Sequence, residues 1–586
     1  MQILRYNQRM IFSYFKQFFY YFDDYKKAFI KYSILSVVAG FLELFGVALT
    51  YPFVLKLLSK TESGTLQKST LIFGGVILLL FILKNVFMIL FTYIQAKFTN
   101  KFEIAIKKRF MNFFLASEYQ EVSKISLAKK NKIFGLLIPN IMNNFILRLL
   151  NLNINLLIFI FITICIAIKF PIATIIALLC AFLIIKVQNN IYKPMLTKIS
   201  QKASATNLLN NQGFNEAVLN IKSIKIAHKE KYFYDNFSKY LKLYYENNKK
   251  MCFLTTIPPF VVEPFAILLL FVLLMVISYQ NINSPEKLVA SFALIAAAIF
   301  RLTPAISRIQ VNLNGINSAL PMVKEFIDLY DMYKIKYIPE SKEPLFTEFK
   351  DSIELKNVYF EYENNKPILQ NINLKINKGE FIGIAGPSGA GKTTLVDVIS
   401  GLYKPLSGDL LIDGQITSNR LKVGYIPQEF SLIAGTVREN VAFGNSDIND
   451  KKVIEALKKA QLYDFIEQNY PKGIYENPFT DSTGLSVGQK QRMAIARALY
   501  SEPDVLILDE ATSSLDLKTE DEICHVLNEL KTKTTIIVIA HRLSTIKSAD
   551  RILFMENGMI SAQGSFDELI QYSDNFKELV KLAFDK

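Results

Sequence analysis

Residues 381–394 read FIGIAGPSGAGKTT, and this stretch decides the fold of the C-terminal part of the chain. An apolar run of strand length comes first, and a helical pattern begins at Leu395. The spacing GxxxxGK[ST] between a strand and a helix predicts a phosphate-binding loop, because glycines let backbone N–H groups turn toward phosphate oxygens. Lys392 is predicted to contact the β and γ phosphates, and the Thr393 hydroxyl to ligate Mg²⁺. The predicted nucleotide-binding residues here are Gly386, Pro387, Ser388, Gly389, Ala390, Gly391, Lys392, Thr393 and Thr394.

A second buried strand is predicted at residues 505–508, which read VLIL and run directly into the carboxylates of Asp509 and Glu510. The carboxyl end of a strand in an α/β sheet faces the ligand crevice. Asp509 is therefore predicted to hold the metal ion. Glu510 is predicted to polarise a water molecule for in-line attack on a γ-phosphate.

A third element, LSVGQ at residues 485–489, opens onto a run of helix formers. A Ser- and Gly-containing loop at a helix N-terminus is again suited to bind an anion. The loop at 386–394 already supplies one such site, so this second one needs another phosphate. The simplest source is the nucleotide of a second subunit, in a head-to-tail pair of nucleotide domains.

The N-terminal part of the chain has a different character. Of the 586 residues, 51% are hydrophobic and only 20% charged, which excludes intrinsic disorder and is typical of a membrane protein. Residues 1–350 carry 41 Lys and Arg against 19 Asp and Glu, a net +22, whereas residues 351–586 carry 26 against 33, a net −7. Basic residues beside long apolar runs indicate cytoplasmic loops. A soluble nucleic-acid ATPase is disfavoured by these runs and by the negative charge of the second half.

A helix needs roughly 20 mostly apolar residues to cross a bilayer. Two long Lys-rich intervals, 97–145 and 190–250, separate some of the stretches that meet this requirement and are predicted to form helical rods on the cytoplasmic side. The tips of the rods are candidates for contact with a cytoplasmic domain. Disordered basic loops are the alternative. The six predicted spans are 28–57, 69–94, 147–169, 171–189, 252–279 and 287–310.

Few ionisable residues fall inside the predicted spans. They are Glu43, Lys84, Glu263 and Arg301. Charges at such depth are costly and usually face a cavity or a partner, which makes these residues candidates for a polar translocation path. A buried structural ion pair is the equal alternative, and the sequence alone leaves the two open.

Taken together, the three motifs resemble those of ATP-binding cassette (ABC) transporters, specifically exporters with a six-span domain fused ahead of the cassette. The resemblance covers nearly the whole chain. In it, LSVGQ is similar to the family's signature loop, with Val487 where glycine is commoner. The signature residues Ser486, Gly488 and Gln489 would then contact the nucleotide of the partner subunit.

Further motifs extend the resemblance. Tyr362 in NVYFEY matches the aromatic residue that stacks on adenine. Gln428 in YIPQ matches the glutamine that contacts Mg²⁺ and is linked to signal transmission. Asp516 in SSLD matches the aspartate of the intersubunit loop, and His541 in IAHRLST matches the switch histidine that contacts the γ-phosphate. The implied catalytic set is Glu510, His541 and Gln428, with Thr393, Gln428 and Asp509 at the metal.

The family also implies an architecture. We expect a membrane α-helical bundle of six transmembrane helices, similar to type IV ABC exporters, followed by an α/β P-loop ATPase domain. The expected assembly is a homodimer in a bacterial inner membrane that uses ATP and Mg²⁺ and binds no nucleic acid. Its expected parts are an N-terminal elbow (1–27), a transmembrane domain with two cytoplasmic extensions (28–334), a linker (335–350) and the cassette (351–586).

The motifs of the cassette do not identify the cargo, so only the membrane spans carry information about it. Residues 40–53 and 300–309 are similar to segments of bacterial lipid-linked oligosaccharide and O-antigen flippases. The similarity implies an amphipathic lipid-linked glycan whose pyrophosphate is attracted by Arg301 or Lys84, since a fixed cation in a low-dielectric cavity favours an anion. The short loop after the first span departs from the glycosylation flippase. A peptide, drug or lipid A exporter stays an alternative, whereas an ATP-gated regulatory membrane protein is disfavoured by the complete catalytic set.

Overall fold

In the computed structural model, the chain divides into two compact units. The first comprises residues 1–116 and 125–339, and the second comprises residues 117–124 and 340–586. The structure describes residues 2–58, 68–171, 193–257, 285–335, 349–362, 367–416, 421–428, 430–477, 484–510, 517–531, 533–540 and 542–584, with isolated positions between 174 and 190, between 260 and 275, and at 346.

The described part of the first unit is helical. One helix, Lys68–Ala116, has 49 residues, so it is about 74 Å long and exceeds the roughly 30 Å of a bilayer core. The helices are α1 Gln2–Tyr21, α2 Asp23–Ala48, α3 Thr50–Leu58, α4 Lys68–Ala116, α5 Tyr119–Ser123 (which belongs to the second unit), α6 Leu127–Lys132, α7 Ile138–Asn140, α8 Leu147–Lys169, α9 Lys193–Leu219, α10 Ile221–Ile226, α11 Glu230–Thr256 and α12 Pro285–Met332, with π-helical turns at Ile133–Leu137 and Ile141–Ile146.

Aromatic residues hold the N-terminal helix to the rest of this unit. Phe18 of α1 lies 5.8 Å from Phe102 of α4 and 5.4 Å from Phe326 of α12, measured between ring centroids. Arg109 donates to the carbonyl oxygen of Tyr21 over 2.7 Å and lies over the ring of Phe22. These rings are fully buried or nearly so, and aromatic pairs of this geometry stabilise a core beyond the area they bury. The aromatic stretch at the N-terminus is therefore a packed helix.

Within the described residues, four helical stretches are long and apolar enough to cross a membrane: Asp23–Leu58, Lys68–Ala116, Leu127–Ile168 and Val289–Met332. They contain the spans predicted at 28–57 and 69–94, all but the last residue of the span predicted at 147–169, and most of the span predicted at 287–310. The spans predicted at 171–189 and 252–279 lie largely outside the described residues, and so does Glu263. Six spans therefore stay a prediction, as do the domain boundaries, since most of the linker at 335–350 is also outside the described part.

The second unit contains two sheets. A four-stranded antiparallel sheet has the order β2-β1-β4-β5, and a six-stranded sheet has the order β10-β9-β3-β8-β7-β6, parallel except for β10. The strands are β1 Ser352–Glu361, β2 Pro367–Asn377, β3 Phe381–Ala385, β4 Ser407–Ile412, β5 Gln415–Ile416, β6 Val423–Ile426, β7 Val505–Asp509, β8 Thr535–Ile539, β9 Arg551–Glu556 and β10 Met559–Gly564. The helices are α13 Lys392–Ile399, α14 Val437–Ala442, α15 Asp450–Lys459, α16 Tyr463–Asn469, α17 Val487–Tyr500, α18 Leu517–Leu530, α19 Leu543–Ile546, α20 Phe566–Tyr572 and α21 Asp574–Phe584, with a 3₁₀ turn at Gly473–Tyr475.

The central strands β3, β7 and β8 are buried at every position and mostly apolar, because both faces of the parallel sheet are covered. Successive residues of β7 alternate between two cores: Leu506 and Leu508 lie in one, and Val505 and Ile507 in the other. Helix α17 packs into the first core, and helix α13 packs into the second. Helices α13 and α17 therefore lie on opposite faces of the six-stranded sheet.

Candidate nucleotide site

Four adjacent parallel strands of the six-stranded sheet, β3, β8, β7 and β6, end at the same edge, because parallel strands share a direction. The phosphate-loop sequence follows β3, and Gln428 follows β6. Asp509 ends β7, and Glu510 comes next. Motifs that are far apart in the sequence are thereby brought to one crevice.

The phosphate-loop sequence begins and ends at glycines that the backbone requires. Gly386 has φ +148°, and a Cβ atom there would lie 2.2 Å from the carbonyl oxygen of Met555. Gly391 has φ +95° and precedes helix α13, where a Cβ atom would lie 2.9 Å from the carbonyl oxygen of Ile368. A side chain at either position would clash with backbone, so only glycine gives the loop this path.

The Lys392 ammonium is folded onto the loop. Its Nζ donates to the carbonyl oxygens of Gly386 at 3.0 Å and Pro387 at 2.9 Å. Burial lowers the pKa of Lys392, while the carboxylates of Glu510 and Asp509 act in the opposite direction. The loop thus holds a buried cation at its centre, where anionic oxygens gain most from it.

Asp509 meets donors from two other elements. Thr393 Oγ1 lies 3.5 Å from Asp509 Oδ1, and Tyr425 Oη donates to Asp509 Oδ2 over 3.0 Å. Burial raises the pKa of Asp509, and the hydrogen bond from Tyr425 opposes that rise. Tyr425 was not anticipated from the sequence, although a hydroxyl in a strand three residues before Gln428 is a usable signal.

The oxygens of Thr393 and Asp509 suit Mg²⁺, which takes one or two protein oxygens and completes its shell with phosphate and water. No group of three or more His, Cys, Asp or Glu side chains that could hold a metal ion by itself occurs among the described residues. A metal ion at this edge would therefore need the nucleotide as a further ligand.

Glu510 is constrained in two ways. Gln428 Nε2 donates to Glu510 Oε2 over 2.6 Å, which places two of the three predicted catalytic side chains in direct contact. The backbone of Glu510 has φ +53°, a left-handed conformation that costs energy in a non-glycine residue, and its N–H donates to the carbonyl oxygen of Ile539 over 3.1 Å. The left-handed backbone and the hydrogen bond from Gln428 thus fix this carboxylate at the end of strand β7.

Tyr362 lies beside the same loop. Its hydroxyl is 3.2 Å from Thr394 Oγ1, and its ring is 5.7 Å from that of Tyr403. Tyr403 in turn lies 5.6 Å from the ring of Tyr119, in the short segment 117–124 that groups with this unit, where Glu118 also pairs with Lys404. The predicted adenine-stacking residue, Tyr362, thus packs against a second tyrosine, Tyr403, that the sequence analysis did not single out.

The signature-like loop lies elsewhere in the unit. Ser486 caps helix α17: its hydroxyl accepts from the Gln489 N–H at 3.2 Å, and Gln489 Oε1 accepts from the Ser486 N–H at 2.8 Å. Gly488 lies in the first turn of α17, and Val487 points outward with an exposed side chain. Because α17 and α13 lie on opposite faces of the sheet, this helix start is separated from the phosphate-loop helix of its own chain.

Two predicted residues, Asp516 and His541, lie outside the described part of the chain. The segments that follow each of them are described. Glu520, four residues after Asp516, is buried and bonds to residues just after His541. Sequence reasoning missed this glutamate, and its signal was a charge at the apolar spacing of Ile523 and Leu527.

In the first unit, the structure brings together three of the four ionisable residues predicted inside spans. Lys84 Nζ lies 3.1 Å from Glu43 Oε1, and Arg301 Nη1 lies 3.6 Å from Glu43 Oε2. Lys84 and Glu43 are buried, whereas 36% of the Arg301 side chain is exposed. Two cations surround one carboxylate, so the cluster has a formal charge of +1. Arg301 is its most exposed member.

Comparison with known proteins identifies the family of this chain. Residues 369–513 match the family model described as ABC transporter, and residues 29–302 match the model described as ABC transporter transmembrane region. The chain belongs to the ABC transporter family. Its fold class is therefore the predicted one, an α-helical membrane region fused to a P-loop domain that binds ATP.

Individual relatives of this ABC protein match in part. The ATP-dependent lipid A-core flippase of Syntrophus aciditrophicus is 36% identical over 319 residues, 52% of this chain and 51% of the relative. The candidate multidrug export ATP-binding/permease protein YgaD of Bacillus subtilis is 43% identical over 239 residues, 40% of this chain and 41% of the relative. The matched stretch thus spans about half or less of each relative.

A solved structure supports the fold over the full length. The structure titled as a bacterial Atm1-family ABC exporter with ATP bound matches with a TM-score of 0.74 and covers 96% of this chain and 99% of that one. At 22% identity the likeness concerns the fold alone.

Proposed function

We propose that this chain is an ATP-driven exporter or flippase that couples hydrolysis of ATP to alternating access of its membrane region. The observation that carries the proposal is the sheet edge at which the phosphate loop, Gln428, Asp509 and Glu510 converge. A membrane region fused to such a site fits transport better than a regulatory role, because the residues for turnover are all retained.

Each residue has a proposed role. The loop N–H groups and Lys392 bind the β and γ phosphates, and Tyr362 stacks on adenine. Thr393, Asp509 and Gln428 hold Mg²⁺, which when bound neutralises charge on the phosphate oxygens. Glu510 accepts a proton from the attacking water.

The proposed assembly is a homodimer with nucleotide at the interface. Ser486, Gly488 and Gln489 lie at the start of a helix on the opposite sheet face from the phosphate-loop helix, which supports a role in binding the γ-phosphate of a second copy. In this assembly Asp516 belongs to the intersubunit loop, and His541 contacts the γ-phosphate.

The two short helices that interrupt the long rods support a second copy. At the first, α5, Tyr119 packs on Tyr403. Around the second, α10, the apolar residues Leu219, which ends α9, and Ile226, which ends α10, are 83% and 70% exposed. Apolar side chains at the tip of a rod favour burial against another surface, and we infer that the surface is the cassette of the partner copy.

In the proposed cycle, ATP draws the two cassettes together and hydrolysis lets them separate. The long helices that continue from the spans, α4 among them, convert that movement into inward- and outward-facing states of the membrane region. The basic intervals at 97–145 and 190–250 place the cassettes on the cytoplasmic side, and we propose a bacterial inner membrane.

A lipid-linked oligosaccharide is the proposed cargo. The support is the cluster of Glu43, Lys84 and Arg301, whose formal excess of one positive charge would attract a pyrophosphate from a membrane-embedded position. A drug or lipid A is the second candidate, because the relatives named above are a multidrug export protein and a lipid A-core flippase.

The test uses the full chain in proteoliposomes. ATP hydrolysis is measured for the wild type, for Glu510→Gln and for the control Glu455→Gln, which alters an exposed carboxylate on α15. Glu510→Gln is expected to bind ATP but to lose turnover by about 100-fold or more, since the base is removed. Retained turnover would remove Glu510 from the base role, and no hydrolysis by the wild type would refute the proposal.

Cargo is tested in the same vesicles with a fluorescent lipid-linked glycan, a lipid A and a cationic drug. Stimulated hydrolysis together with flipping of the glycan supports the first candidate. Stimulation by lipid A or the drug alone supports the second.

A further inference from the structure

Helix α18 carries a buried carboxylate that none of the proposed catalytic steps uses. Glu520 is 4% exposed and lies on the same side of α18 as the buried residues Ile523 and Leu527. An ionised carboxylate in an apolar stripe is stable only when it is paired and hydrogen-bonded. The hydrogen-bond partners of Glu520 therefore identify the segment that it holds in place.

All three hydrogen-bond donors to this carboxylate come from one short segment. Arg542 Nη1 donates to Glu520 Oε2 over 2.5 Å, and the hydroxyls of Ser544 and Thr545 donate to Oε1 over 3.0 and 2.8 Å. Residues 542–545 follow strand β8 and the predicted switch residue His541. One carboxylate thus fixes the position of this segment with charge-assisted bonds.

The chain connectivity gives the contact its meaning. Helix α18 starts at Leu517, immediately after Asp516, and Glu520 lies in its first turn. Arg542 is the residue after His541. The hydrogen bonds to Glu520 therefore connect the first turn of α18, which follows Asp516, to the segment 542–545, which follows His541.

We propose that Glu520 is a positioning residue for ATP hydrolysis, which acts through His541, the residue directly before the segment that Glu520 holds. This inference rests on the proposed function. Without the carboxylate, the 542–545 segment loses its common acceptor, and the chain directly after His541 is no longer anchored. Binding of ATP, which depends on the phosphate loop and Tyr362, is left intact.

The experiment compares Glu520→Ala and Glu520→Gln in the full chain in proteoliposomes. Glu520→Ala is expected to lower kcat about 10- to 100-fold, with KM for ATP and binding of a fluorescent ATP analogue within about twofold of wild type. Glu520→Gln should fall between the two, because the amide oxygen still accepts from the hydroxyls but no longer pairs with the charge of Arg542. It keeps the side-chain volume, so it carries the test if the alanine variant fails to fold.

A double variant separates positioning from general stability. If Glu520 acts through His541, then Glu520→Ala in a His541→Ala background is expected to lower kcat by less than about twofold more. The matched control is Glu380→Ala, which breaks the partly buried pair of Glu380 with Arg551 at 2.8 Å in the same unit. It should lower Tm without a selective loss of kcat.

Three results would overturn the inference: unchanged kcat in both Glu520 variants, full additivity with His541→Ala, or a change in Tm alone like that of Glu380→Ala. These results leave the proposed function standing so long as the wild type hydrolyses ATP. Absence of hydrolysis in the wild type would overturn both.

Discussion

The hydroxyl of Tyr425 donates to Oδ2 of Asp509 over 3.0 Å, while Thr393 approaches Oδ1 of the same carboxylate. A side chain of strand β6 thus orients the group that ends strand β7. The proposed metal ligand is held in place before any metal ion binds.

Tyr425→Phe is therefore expected to weaken metal binding. A hydrogen bond to a charged group is worth about 1.5–3 kcal/mol, so the Mg²⁺ concentration for half-maximal hydrolysis should rise about tenfold or more. Binding of Mn²⁺ in the presence of ATP, followed by electron paramagnetic resonance, should show the same shift. Tyr475→Phe is the control, since its hydroxyl donates to Asp450 at 2.6 Å, and an equal shift there would contradict the assignment.

Ser486→Ala and Ser565→Ala form a matched pair. Both serines cap a helix in the same unit with a capping box, so each substitution should lower the free energy of unfolding by about 1 kcal/mol. Ser486 is in addition the residue proposed to bind the nucleotide of a second copy, so only Ser486→Ala should lower ATP hydrolysis, by about tenfold or more. Equal hydrolysis in the two variants would argue against the head-to-tail dimer.

The ion cluster in the membrane region predicts a rescue. Lys84→Met leaves Glu43 buried beside Arg301 alone, and breaking a buried pair costs about 3–5 kcal/mol. Thermal unfolding in detergent, followed by size-exclusion chromatography, should show a large loss for Lys84→Met and recovery of most of it in Glu43→Leu/Lys84→Met. Lys107→Met, which removes a partly exposed pair with Glu103 on the same helix, should cost less than about 1 kcal/mol.

Stability should depend on pH through Asp397. Burial, together with the nearby charge of Asp509, raises the pKa of Asp397 to about 6 from its ordinary value of 3.8. Between pH 3.8 and pH 6 the Asp397 carboxyl is protonated in the folded state but ionised in the unfolded chain. The stabilising contribution of this proton is therefore full below pH 3.8 and is lost as pH rises through 6.

Asp397→Asn should consequently raise Tm in nucleotide-free protein at pH 7.5, and by less at pH 5. Because the carboxyl is partly exposed to solvent, the gain is discounted to about 1 kcal/mol, or about 2–4 °C. Asp409→Asn, at an exposed carboxylate, should leave Tm unchanged at both values. A gain that is larger at pH 5 would contradict the assignment.

Local patterns were enough to predict the nucleotide chemistry. Residues 381–394 and 505–510 each combine a continuous apolar run with polar groups at its end, and a fully buried parallel strand produces that pattern in any fold of this class. Four of the six predicted spans coincide with long apolar helices among the described residues, since lipid demands about 20 apolar residues in a row.

Contacts between distant segments were not readable. Nothing local to Glu43 states that Lys84 and Arg301 neutralise it, and nothing near Asp509 states that Tyr425 orients it. These pairs depend on which helices and strands become neighbours, and that is set by the packing of whole elements rather than by residue spacing. The sequence by itself determined that the chain binds nucleotide and enters a membrane, because hydrophobic periodicity and motif spacing are local features. Only the tertiary structure decided that Gln428 contacts Glu510 and that Glu520 accepts hydrogen bonds from the segment after His541. Those contacts form where separate helices and strands meet.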